Sequence, residues 1–194
     1  MKIEISQITP RQKLTIETAL CEYRYIMNHW SSNDSDFQAV FYDFYMKARF
    51  AVMSKPANAK PYFDKLQSIT PDAELCDILE DLKASMENHC YEFSLGTKLL
   101  HTRNPQLPIY DSKVRTYLSE EENISFWWNQ SGAPRGTTTI DKINHDWLVL
   151  CAWYKSFLTS DRGIQWIGWF DANFPAYADI SDVKKVDFII FAAN

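Results

Sequence analysis

Helix-start signals recur along this chain, and nowhere do apolar and polar residues alternate for long. Thr9-Pro10 places a capping hydroxyl before a proline at the first helical position, and Gln12 completes a capping box. Leu14, Ile16, Leu20, Tyr23, Ile26 and Met27 follow at helical spacing, which predicts a helix to about Trp30. Ser35 is expected to cap a second helix to about Met53, with Phe37, Phe41, Phe44 and Tyr45 as its core stripe. Pro56 and Pro61 bracket a connector, after which Tyr62 to Ser68 form a short helix. Thr70-Pro71 repeats the cap-then-proline start and opens a helix to about Met86.

The second half reads the same way. Asp111 caps a short helix from Ser112 to Leu118, and a long helix runs from about Thr139 to Thr159. Ser160-Asp161 caps another that Pro175 stops near Phe174, and a last helix covers Ser181 to Ala192. Between them, 119–137 is a polar excursion carrying Phe126-Trp127-Trp128, long enough to suggest a functional loop. The expected fold is all-α: about nine helices in a single domain over 1–194, divisible into two lobes with a discontinuous path.

Composition narrows the function classes. The chain has 194 residues, 46% of them hydrophobic, which supports a dense core and argues against disorder. Five glycines, with no Rossmann or phosphate-loop pattern, argue against a nucleotide-binding loop, and no cofactor or metal is implied. Cys21, Cys76, Cys90 and Cys151 lack CxxC spacing and read as free buried thiols of a reducing compartment. The histidines at 29, 89, 101 and 145 form no HxxxH or HExxH pattern. The first residues lack a signal-peptide core and no window reaches about 18 apolar residues, so a cytoplasmic protein with no membrane contact is expected. Oligomeric state is not legible.

Charge is unevenly distributed. The net charge is -5, yet Lys98, Arg103, Lys113 and Arg115 stand against the single acid Asp111 between Ser94 and Tyr117. A local balance of +3 on an acidic body suits contact with a few phosphates, and suits a solvated helix face equally well. The same segment, Phe93-Ser-Leu-Gly-Thr-Lys-Leu-Leu-His101 followed by Pro105-Gln-Leu-Pro-Ile-Tyr-Asp-Ser-Lys-Val114, reads as a Gly-containing hairpin over 93–118. Its hairpin turn, Leu95-Gly96-Thr97, precedes a helix from Lys98 to Arg103 and then a turn bounded by prolines. An amine and a carboxylate in such an order suit attack on an electrophilic carbon, with the acid stabilising positive charge. Asp111 also reads as an ordinary N-cap, Lys98 as a phosphate contact or exposed lysine, and His101 as a structural histidine.

On these residues the chain resembles the helix-hairpin-helix DNA glycosylases, in the branch that includes 8-oxoguanine glycosylase. It also resembles a bacterial group that shares their fold. The likeness covers about 25 residues, and it lacks the first hairpin glycine, with Ser94 near its place. The resemblance implies base excision from DNA at damaged or modified bases, with or without lyase activity. It implies Lys98 as nucleophile and Asp111 as charge-stabilising carboxylate. Gly96, Thr97, Arg103, Lys113 and Arg115 would then contact nucleic acid, and Trp127 or Trp128 would line a base pocket or act as a wedge. The alternative is a non-catalytic helical module that keeps this fold and binds nucleic acid or protein.

Overall fold

In a computed structural model the described residues are 3–46, 50–128 and 133–193, and among them there are helices and no strand. The chain divides into two compact units, one of Met1–Glu17 with Pro105–Asn194 and the other of Thr18–Asn104. We call them unit 1 and unit 2. The first helix, α1 (Pro10–His29), belongs to both. Its start matches the sequence signal: Thr9 and Gln12 exchange the two reciprocal hydrogen bonds of a capping box, at 2.8 and 3.3 Å.

Unit 2 holds α2 (Ser35–Phe41), a π-helical turn (Tyr42–Met46), α3 (Phe50–Met53), α4 (Pro56–Ser68), α5 (Leu75–Ser85) and α6 (Phe93–Arg103). Its core is aromatic. Phe37 and Phe41 meet Phe63 of α4 edge-on, at ring separations of 6.1 and 5.7 Å. The cap of α2 is Asp34 rather than Ser35, because the carboxylate one residue earlier accepts from Phe37 N–H. The segment expected as a connector between Pro56 and Pro61 is instead the first turns of α4. Pro56 needs no N–H there, and Asn58, Tyr62, Phe63 and Leu66 are buried along the helix. Helix α5 begins four residues after Pro71. Thr70-Pro71 closes a turn, Ala73 N–H to Thr70 O, and the buried stripe Leu75, Ile78, Leu79 and Leu82 starts only at Leu75.

The expected hairpin at Leu95–Thr97 is absent. Residues Phe93–Arg103 form one unbroken helix, with Gly96 N–H bonded to Glu92 O. Gly96 serves packing: a Cβ there would sit 2.7 Å from Leu79 Cδ2 and 3.1 Å from Leu75 Cδ1, so its bare backbone lets α6 approach α5.

Unit 1 contains α7 (Ser112–Glu121), α8 (Thr139–Leu158), α9 (Asp161–Asn173) and α10 (Asp182–Ala193). Asp111, Thr138 and Ser160 cap the first three with side-chain oxygens. Helix α10 packs against α7, α8 and α9 and is buried from Val183 to Ile190. Two lysines lie in that stretch, and both are paired: Lys184 with Asp187 at 2.5 Å, Lys185 with Asp171 and Asp182. Gly163 is required by sterics, since a Cβ there would fall 1.9 Å from Phe157 O at the end of α8. Among the described residues the cysteines form no disulfide, but Cys21 and Cys90 are exposed and Cys76 and Cys151 only half-buried, so the expectation of buried thiols is not met. Burial pushes the Cys151 thiol up to about 12. No helix is long and apolar enough to cross a membrane, among the described residues.

Candidate functional site

Helix α6 gives unit 2 its polar interior. Ser94, Lys98 and His101 are spaced i, i+4 and i+7, which places them on one face of the helix. Lys98 is 7% exposed, and its Nζ donates to Ser94 Oγ at 3.1 Å. His101 is fully buried, and its Nε2 lies 3.0 Å from the Tyr23 hydroxyl of α1. Thr97 is also buried, with its hydroxyl donating to Ser94 O. Gly96 and Thr97, expected to reach nucleic acid, therefore lie inside the helix and are covered by packing. Arg103 ends the helix with its guanidinium 3.6 Å over the Trp30 ring and Nε donating to Ile69 O.

Asp111, Lys113 and Arg115 belong to unit 1. Asp111 is half-buried at the N-cap of α7, where Oδ1 accepts from Val114 N–H at 2.8 Å. Nearby in the same unit, the Tyr154 hydroxyl is buried without a hydrogen-bond partner among the described residues. Burial, then the charges of Asp187 and Asp111, push that phenol well above its ordinary range. An orphaned hydroxyl close to a carboxylate is an unspent hydrogen-bonding capacity. Lys113 donates to Phe191 O and sits 4.2 Å over the Phe191 ring, so its ammonium is committed to α10. Arg115 is half-buried, and its charge acts on Tyr110 against the stronger effects of burial and Asp146.

Trp127 and Trp128 enter an arrangement that the sequence reading missed. Their backbone N–H groups donate to the two carboxylate oxygens of Asp146, each at 2.7 Å. His145 Nδ1 lies 3.0 Å from Asp146 Oδ1, and the imidazole stacks on the Trp127 indole at 3.5 Å with 2° between the planes. Asp146 has no exposed surface. A signal was available: Ile143, Asp146, Leu150, Tyr154 and Phe157 share the buried stripe of α8. An acid at a core-facing position must find donors. Which donors these are depends on a turn some 18 residues away, which no local pattern specifies.

Among the described residues no three His, Cys, Asp or Glu side chains gather so as to hold a metal ion. An open depression lined by Asn33, Gln38, Pro56, Lys60, Phe63 and Asp64 lies in unit 2, apart from every residue expected to carry chemistry. Set against models of known families, curated proteins and solved structures, the chain matches none.

Proposed function

We propose that the chain is a DNA glycosylase-like protein, with the Lys98 amine as nucleophile and Asp111 as the carboxylate that stabilises positive charge on the sugar. The observation that carries this reading is the burial of Lys98 within α6, beside a hydroxyl rather than in solvent. Only the neutral form of a lysine amine has a lone pair to donate. That amine adds to the anomeric carbon as the bond to the base breaks, and the base leaves with the bonding electrons and takes up a proton. Loss of an amine proton and opening of the sugar ring leave an iminium. The half-buried Asp111 supplies the anionic charge that an oxocarbenium-like transition state needs.

Borohydride reduces an iminium to a stable amine, so it traps protein covalently on DNA. The test is incubation with abasic and damaged-base duplexes plus borohydride. The wild-type chain is expected to give an adduct that maps to Lys98, and Lys98→Gln none. No adduct on any duplex, or an adduct unchanged in Lys98→Gln, rejects the nucleophile.

The non-catalytic module is favoured by one observation of its own. The helix runs through Gly96 in place of a phosphate-binding turn, and Arg103 and Lys113 are engaged internally. That reading expects DNA binding that is weak and steeply salt-dependent, with no trapped adduct.

A further inference from the structure

The Trp127–His145–Asp146 cluster has a directional chemistry. An ionised carboxylate only accepts hydrogen bonds, and Asp146 is met by three donors: Trp127 N–H, Trp128 N–H and His145 Nδ1. Nδ1 must therefore carry the hydrogen, which leaves the lone pair of the neutral imidazole on Nε2. Among the described residues Nε2 has no hydrogen-bond partner, and the side chain is 30% exposed. The acid beneath it is completely buried, so its charge reaches the ring with little screening. The Trp127 indole covers one face of the imidazole and would stabilise a positive charge there. Fixed tautomer, charged partner and open lone pair are the parts of a base aimed by a carboxylate.

We propose that His145 and Asp146 form a proton-accepting dyad, in which Nε2 takes the proton of a water or ligand hydroxyl that reaches it beside Trp127. The proton moves from oxygen to Nε2, the imidazole becomes an imidazolium, and Asp146 and the indole stabilise the cation. Asp146 is the positioning residue: it sets the tautomer and holds the ring in place. This dyad does not depend on Lys98, so trapping results leave it untouched.

Two other histidines act as internal controls. His29 and His89 also direct Nδ1 at an oxygen, but each meets a backbone carbonyl, Tyr25 O at 2.8 Å and Lys83 O at 3.1 Å. His29 even stacks on Tyr25. What distinguishes His145 is the carboxylate.

The test uses diethylpyrocarbonate on the full chain, with mass spectrometry to locate the modification. The imidazole lone pair attacks a carbonyl carbon, the bond to ethyl carbonate breaks, and the ring keeps the ethoxycarbonyl group. Ethyl carbonate takes up the Nδ1 proton and falls apart to ethanol and carbon dioxide. His145 is expected to react faster than His29 and His89, although both are more exposed. Asp146→Asn should slow it by about tenfold, the scale found when the carboxylate behind a metal-binding histidine is removed. Because Asp146→Asn can also loosen the turn, nitrogen NMR of the wild-type imidazole supplies an independent reading, with the hydrogen expected on Nδ1. The proposal is overturned by a hydrogen on Nε2 in the neutral form, by His145 reacting no faster than His29, or by equal rates in wild type and a folded Asp146→Asn.

Discussion

His101 and His145 each sit on a helix with one ring nitrogen against an oxygen, and they are built for different ends. His101, in unit 2, is sealed from solvent and meets the neutral phenol of Tyr23 at 3.0 Å, with a tilted ring contact between them. Such a pair satisfies two polar groups and holds α1 to α6. His145, in unit 1, leans on a buried carboxylate and keeps 30% of its side chain exposed. The difference lies in the charge of the partner and in the exposure of the ring. Sequence position says neither.

The hardest test of this contrast is Asp146→Ala. Three donors lose their acceptor at once, two of them half-buried backbone N–H groups. We expect a loss of about 3–5 kcal/mol, read as a lowered urea midpoint with unchanged slope. Trp127 fluorescence should change in the native baseline as the indole leaves the imidazole. A loss below about 1 kcal/mol would mean that Asp146 does not hold the turn, and the site in unit 1 would lose its distinction.

Tyr23→Phe should cost less, about 1–2 kcal/mol, since it removes one hydroxyl and leaves His101 Nε2 without that partner. Denaturation at neutral pH measures it. The contrast predicts that this variant leaves diethylpyrocarbonate reactivity of His145 as it was. Should Tyr23→Phe be neutral in stability yet alter chemistry on DNA, His101 is no longer merely structural, and the two histidines become alike in kind.

The two sites also differ in how far they were legible. Caps are local, and so the Thr9–Gln12 box, the Asp111 cap and the Ser160 cap were readable from neighbouring residues. The segment around Gly96 misled because glycine marks turns in isolation. Here Leu75 and Leu79 of another helix settle its conformation by occupying the space that a side chain would take. Thr70-Pro71 misled for a related reason, since a turn uses the same residues as a helix start and burial beginning at Leu75 decides between them. Of the candidate site, Lys98 and Asp111 stood out by chemistry. His145 and Asp146 did not, because their pairing with Trp127 and Trp128 needs the chain to return across a long connection.

Gly96→Ala carries the smallest expected effect and separates packing from recognition in unit 2. Alanine gains about 1 kcal/mol of helix propensity over glycine in a helix interior. Against this, its methyl group would meet Leu79 Cδ2 at 2.7 Å and Leu75 Cδ1 at 3.1 Å. Both contacts are ends of leucine side chains, which can shift, but both leucines are themselves buried. Overpacking of that kind costs about 1–3 kcal/mol, so the gain offsets only part of it and a net loss of about 1 kcal/mol is expected. Larger residues have no such offset: Gly96→Val adds β-branching and bulk, and should destabilise clearly more than alanine. DNA affinity, measured at low salt where phosphate contacts are strongest, should be the same in Gly96→Ala and wild type, because the residue is covered. The opposite pattern, unchanged stability with lost DNA binding in both variants, would return Gly96 to a phosphate-binding turn. Unit 2 would then hold its recognition surface where α6 now has its closest packing.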